Sequence, residues 1–167
     1  MKNTVYLSLP IMLLLLVLQV AILPRFPIAG QVPQLCFLAA VAWGLLRGPE
    51  EGAVWAFVAG LLLDLYSSSP AGATSLAMIA AVLVVTVVRR GFPTSHFFAP
   101  VLLSALATLV YLVVYLLLLR LLGVMVTVTT LQRLLPMVVL NTFLILPVYW
   151  PLWRLERFLA PRRVEMM

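Results

Sequence analysis

Apolar residues run along this chain in long blocks rather than in alternation with polar ones. A membrane-crossing helix needs ~20 mostly apolar residues. Residues 5–23, 28–46, 49–65, 71–88, 97–119 and 134–152 meet or approach that length. Turn chemistry separates them. Pro24-Arg25-Phe26-Pro27 ends the first block, and Arg47-Gly48-Pro49-Glu50-Glu51-Gly52 divides the second from the third. Ser67-Ser68-Ser69-Pro70 and Arg89-Arg90-Gly91-Phe92-Pro93 mark the next two breaks. Residues 120–133 read as an extended or interfacial loop, because Thr127, Thr129 and Thr130 lie among valines there. The pattern predicts an all-α integral membrane protein, one polytopic domain over residues 1–167 with six transmembrane helices. The second and third spans are short, so their ends dip into the interface or the bilayer thins around them. No internal repeat is visible.

Composition agrees. Of 167 residues, 65% are hydrophobic, and the mean hydropathy is +1.18. A soluble domain of this size has too much surface to cover for such a composition. Lys2 ahead of residues 5–23 resembles a signal peptide, but the run is longer than an h-region and no small-x-small site follows closely. It is read as the first spanning helix.

The net charge of +6 reads as topology, not as a nucleic-acid surface, which would cluster basic residues on a soluble face. With the N-terminus inside, Lys2, Arg47, Arg89, Arg90, Arg154, Arg157, Arg162 and Arg163 fall on the cytoplasmic side. Only Arg25, Arg120 and Arg133 then lie outside. The positive-inside rule selects this arrangement, with both termini cytoplasmic and the 64–72 corner outside. Tyr149, Trp150 and Trp153 fit an aromatic belt at the inner interface, and the basic tail beyond them fits an orientation anchor beside anionic lipids.

Chemistry-bearing residues are sparse. Asp64 is a carboxylate near the end of an apolar run, where a charge is costly unless paired or used. Gly52, Ala56, Gly60, Asp64 and Ser68 recur every four residues, which places them on one helix face. Small residues so spaced let helix backbones approach closely in lipid. The fourth span offers Gly72, Ala73, Ser75, Ala77, Ala80 and Ala81, and the fifth adds Ser104, Thr108, Tyr111 and Tyr115. The leucine-rich first span belongs at the periphery. Ser69 is placed to cap the fourth helix with Pro70 at its first position. Asp64, one tight turn earlier, is then either a buried staple accepting the free N–H groups of that helix start or a lining residue of an outward cavity or partner contact.

Glu50 and Glu51 suit the first turn of the third helix, with pairing to nearby basic residues as the alternative. Asn141 is placed to hydrogen-bond another helix. Pro136 and Pro147 bracket it, and Pro147 should kink the helix and free a carbonyl. His96, the single histidine, reads as an interfacial loop residue. The single cysteine, Cys36, permits neither an intrachain disulfide nor a cysteine metal cluster. No metal site, cofactor, catalytic residue, phosphate loop, G-x-S-x-G or H-E-x-x-H is expected.

Gly60-Leu61-Leu62-Leu63-Asp64-Leu65, followed by Ser67, Pro70 and Gly72, resembles the signature of the rod shape-determining MreD family. The resemblance is close over residues 44–76 and includes the Gly-Pro-Glu start of the third span; elsewhere it rests on length and hydropathy. Tyr66 and the serine run vary a corner where the family more often has glycine. The resemblance implies a non-enzymatic scaffold of the bacterial inner membrane within the elongation machinery. Its implied partners are MreC, the RodA glycosyltransferase with its class B penicillin-binding protein, and the MreB-linked cytoskeleton; self-association stays open. The fold it implies is similar to the S components of energy-coupling-factor transporters. That similarity supplies the alternative, a vitamin-binding transporter subunit. A lipid-modifying enzyme ranks below both. The outer side offers few converging polar groups beyond Asp64, Tyr66 and the serines, and the first helix lacks a small-residue docking face, which favours the scaffold.

Overall fold

A computed structural model describes residues 2–28, 30–67, 70–91, 99–124 and 134–159. Among them are six α-helices: α1 Lys2–Val17, α2 Leu35–Arg47, α3 Pro49–Tyr66, α4 Ala73–Arg89, α5 Ala99–Leu121 and α6 Leu134–Leu159. The shortest, α2, is the one the others surround. It packs against α1, α3, α4, α5 and α6. Every residue from Cys36 to Leu45 is buried, as expected of a helix that is apolar on all sides. Around it, neighbours pack in the order α1, α3, α4, α5, α6.

The helix starts near residue 28 and residue 71 need correction. The second helix begins at Leu35, because Pro33 lacks an N–H and biases Val32 away from helical geometry. Upstream, Ile28 and Gln31 exchange backbone hydrogen bonds of 3.0 Å in a tight reversal around Gly30. The fourth helix begins at Ala73. At the other end of the chain, α6 continues through Pro147 and Pro151 to Leu159, beyond the expected end at 152. The loop expected over 120–133 lies largely outside the described residues, as do Ser68, Ser69 and His96.

The first helix is continued by a π-helical turn, Leu18–Ile22, and a 3-10 turn, Leu23–Arg25. Three stretches are long and apolar enough to cross a membrane: Tyr6–Arg25, Ala99–Leu121 and Pro136–Leu159. Helices α2 and α4 are apolar but shorter, and α3 carries Glu50, Glu51 and Asp64. The N-terminal helix is peripheral, with Tyr6, Leu9, Leu13, Leu14 and Val17 exposed, although Met12 and Ser8 are buried.

Candidate functional site

The corner between α3 and α4 is built around one carboxylate. Asp64 is 6% exposed, near the end of α3. Its Oδ2 accepts a 2.9 Å hydrogen bond from the Gly72 N–H. Three longer bonds come from the first turn of α4: Thr74 N–H to Oδ1 at 3.3 Å, and Ser75 N–H and Ser75 Oγ to Oδ2, both at 3.4 Å. The Ala73 N–H donates to the Pro70 carbonyl at 3.1 Å. The free donors at this helix start are therefore all engaged. Asp64 does from the preceding helix what a capping side chain ordinarily does from the position before the first turn.

This arrangement corrects the expected role of Pro70. Gly72 occupies the cap position with φ 91° and ψ −15°, a left-handed geometry that glycine adopts without steric penalty. Pro70 sits in the turn before it and contributes its carbonyl, not a first helical residue. The cap expected from Ser69 falls outside the described residues. Ser67 terminates α3, its N–H donating to the Leu63 carbonyl at 2.9 Å.

Close helix approach supports the corner. A Cβ added to Gly60 would lie 2.3 Å from the Ser75 Cα, and one added to Gly52 would lie 2.5 Å from the Gly44 Cα. Gly52, Ala56, Gly60 and Asp64 are all buried. The small face of α3 thus serves two neighbours, α2 at Gly52 and α4 at Gly60. Three hydroxyls on α4 and α5 are satisfied within their own helices: Thr86 donates to Val82, Ser104 to Val101 and Thr108 to Ser104, each through a carbonyl at 2.8 Å.

Two polar clusters were not anticipated. At the start of α2, Gln34 accepts from Asn141 Nδ2 at 3.5 Å and is hydrogen-bonded to the Tyr111 hydroxyl. Asn141 therefore does reach another element, while its Oδ1 is buried without a partner. Gln19, on the π-helical turn, accepts the Cys36 N–H at 3.1 Å, tying α1 to the same helix start. The available signal was Gln19 before the first break and Gln34 at the start of the second apolar helix.

At the other end of α2, Trp43 stacks on Trp55 with centroids 4.4 Å apart. The Trp43 indole N–H donates to Glu51 Oε2 at 3.1 Å, so Glu51 serves the aromatic pair. Arg47 Nε lies 3.4 Å from Glu156 Oε1, joining the ends of α2 and α6. No cluster of three metal-ligating side chains occurs among the described residues.

Three helices long and apolar enough for a membrane, shorter apolar helices meeting α3 at glycines, and an interior carboxylate engaged by backbone N–H groups define a helical membrane protein. A family model described as rod shape-determining protein MreD matches residues 1–159, and the chain belongs to that family. No curated protein and no solved structure matches it. Membership implies a role in determining rod shape.

Proposed function

We propose that this protein is a non-enzymatic, multi-pass scaffold of the bacterial inner membrane. In this reading six spans place both termini in the cytoplasm. The protein maintains rod shape by assembling with MreC, with the RodA glycosyltransferase and its class B penicillin-binding protein, and through them with the MreB-linked cytoskeleton. The carrying observation is the state of Asp64. Its carboxylate is surrounded by donors of the α4 start, so it holds two helices in register and leaves their outer faces to lipid and partners. The small-residue crossings serve the same end, since a rigid body can present a fixed surface.

The test is co-purification of the full chain from its native membrane with identification of what accompanies it. Recovery of MreC and the synthase pair is expected. Recovery of transporter ATPase subunits instead would overturn the scaffold.

The second reading, a small-ligand subunit of S-component-like fold, draws support from the Gln34, Tyr111 and Asn141 cluster, where one amide oxygen lacks a partner. A ligand there would be small and polar. Saturable binding of such a ligand, abolished by Asn141→Leu with the fold intact, would move this reading ahead.

A further inference from the structure

The last three turns of α6 carry a second site. The helix has 26 residues, about 39 Å at 1.5 Å per residue. The hydrocarbon core is only ~30 Å thick. With residue 134 at one boundary, the remaining ~9 Å corresponds to residues 154–159, which stand in the headgroup layer.

There the guanidinium of Arg154 lies 3.8 Å from the centre of the Trp150 ring. That of Arg157 lies 3.8 Å from the centre of the Trp153 ring. A guanidinium stacked on an indole engages its flat face and leaves its N–H edges free for a planar, two-point grip on phosphate. Being three residues apart, the two arginines are neighbours on the helix surface. Trp150 is 56% exposed, and Phe158, beyond the arginines, is 88% exposed. Arg154 and Arg157 are exposed too.

The one acid on this stretch does not compete. Glu156 points to Arg47 on α2, and no ion pair engages Arg154 or Arg157 among the described residues.

We propose that Trp150, Trp153, Arg154 and Arg157 form a headgroup clamp for an anionic phospholipid, the rings lying at the acyl boundary and the paired guanidinium edges holding the phosphate. Charge complementarity selects the headgroup, and the aromatic layer selects a lipid over a free anion. The clamp rests on the membrane placement of α6 and is independent of which proteins the scaffold recruits.

The experiment is native mass spectrometry of the detergent-solubilised full chain, titrated with phosphatidylglycerol and with phosphatidylcholine of the same acyl chains. Wild type should prefer phosphatidylglycerol. R154Q/R157Q should bind it about thirtyfold more weakly, at ~1 kcal/mol for each cation near an anionic surface, with phosphatidylcholine binding unchanged. R154K/R157K keeps the charge and loses the two-point grip, so it should fall several-fold below wild type. If the glutamine pair does not accumulate, the lysine pair decides, and binding equal to wild type would overturn the clamp. An unchanged lipid preference in R154Q/R157Q would also overturn it. So would displacement of phosphatidylglycerol by millimolar inorganic phosphate, which would indicate a plain anion site. Loss of MreC co-purification with lipid preference intact would assign the surface to a protein instead. Failure of co-purification in wild type would count against the scaffold and leave the clamp standing.

Discussion

The backbone of Gly60 lies directly against that of Ser75, so close that a single added methyl carbon would be 2.3 Å from the Ser75 Cα and 2.7 Å from its nitrogen. The obstacle is main chain, which cannot rotate aside as a side chain would. This contact and the Asp64 bonds act on the same residues. The glycine lets α3 and α4 meet, and the carboxylate one turn later locks the start of α4 in place.

Gly60→Leu should therefore be severe. Overpacking a well-packed site costs ~1–3 kcal/mol even where neighbours can shift, and here they cannot shift easily. Thermal unfolding in detergent and membrane abundance should both fall well below those of Leu62→Ala, a half-buried position on the same helix. Gly60→Ala should already show a clear loss. Parity between Gly60→Leu and Leu62→Ala would mean that the small face is not an interface.

Asp64 variants should rank by what they leave for the α4 donors. A hydrogen bond to a charged group contributes ~1.5–3 kcal/mol, and stranding its buried partner costs a comparable amount. Asp64→Asn keeps one accepting oxygen and should be the milder change. Asp64→Leu strands the N–H groups of Gly72, Thr74 and Ser75 and should be the worse. Abundance, partner pull-down and cell shape should decline together. If Asp64→Asn kept abundance and pull-down yet abolished shape maintenance, a protonation or ligand role would replace the staple.

Gln34 and Asn141 should behave asymmetrically although they touch. Gln34→Leu deprives both Asn141 Nδ2 and the Tyr111 hydroxyl, so a loss of ~1–3 kcal/mol is expected. Asn141→Leu removes an amide whose Oδ1 is already unpartnered and strands only the Oε1 of half-buried Gln34, so it should cost less than Gln34→Leu. Thermal unfolding of the two variants decides. The reverse order would show that Asn141 anchors the cluster.

Topology can be read by labelling single cysteines in a Cys36→Ser background. Ala71→Cys, on an exposed turn, should react with a membrane-impermeant maleimide from outside. Gly91→Cys, after α4, should react only once the membrane is opened. The opposite pattern would invert the assignment made from the arginines.

The apolar blocks themselves determined that this is a helical membrane protein, because backbone polar groups in lipid must be satisfied within a segment and helices do that locally. The four-residue spacing of Gly52, Ala56, Gly60 and Asp64 likewise determined one buried face, since helical periodicity is a local property. Asp64 was legible as an exceptional residue because charge in an apolar run is rare. Its partners were less so. Which N–H groups it meets depends on where α4 begins, and that was decided by a left-handed turn at Gly72, not by Ser69 and Pro70. The division of one small face between α2 and α4 was also tertiary, as spacing names a surface and not its neighbour. The same holds for Gln19 with Cys36, Gln34 with Asn141, and Arg47 with Glu156. Each pair is distant in the chain, and sequence carries no record of such proximity until the helices pack. Only packing could show that Leu35–Arg47, the shortest of the described α-helices, is the axis around which the others pack, because its apolar residues are of the same kind as those facing lipid elsewhere.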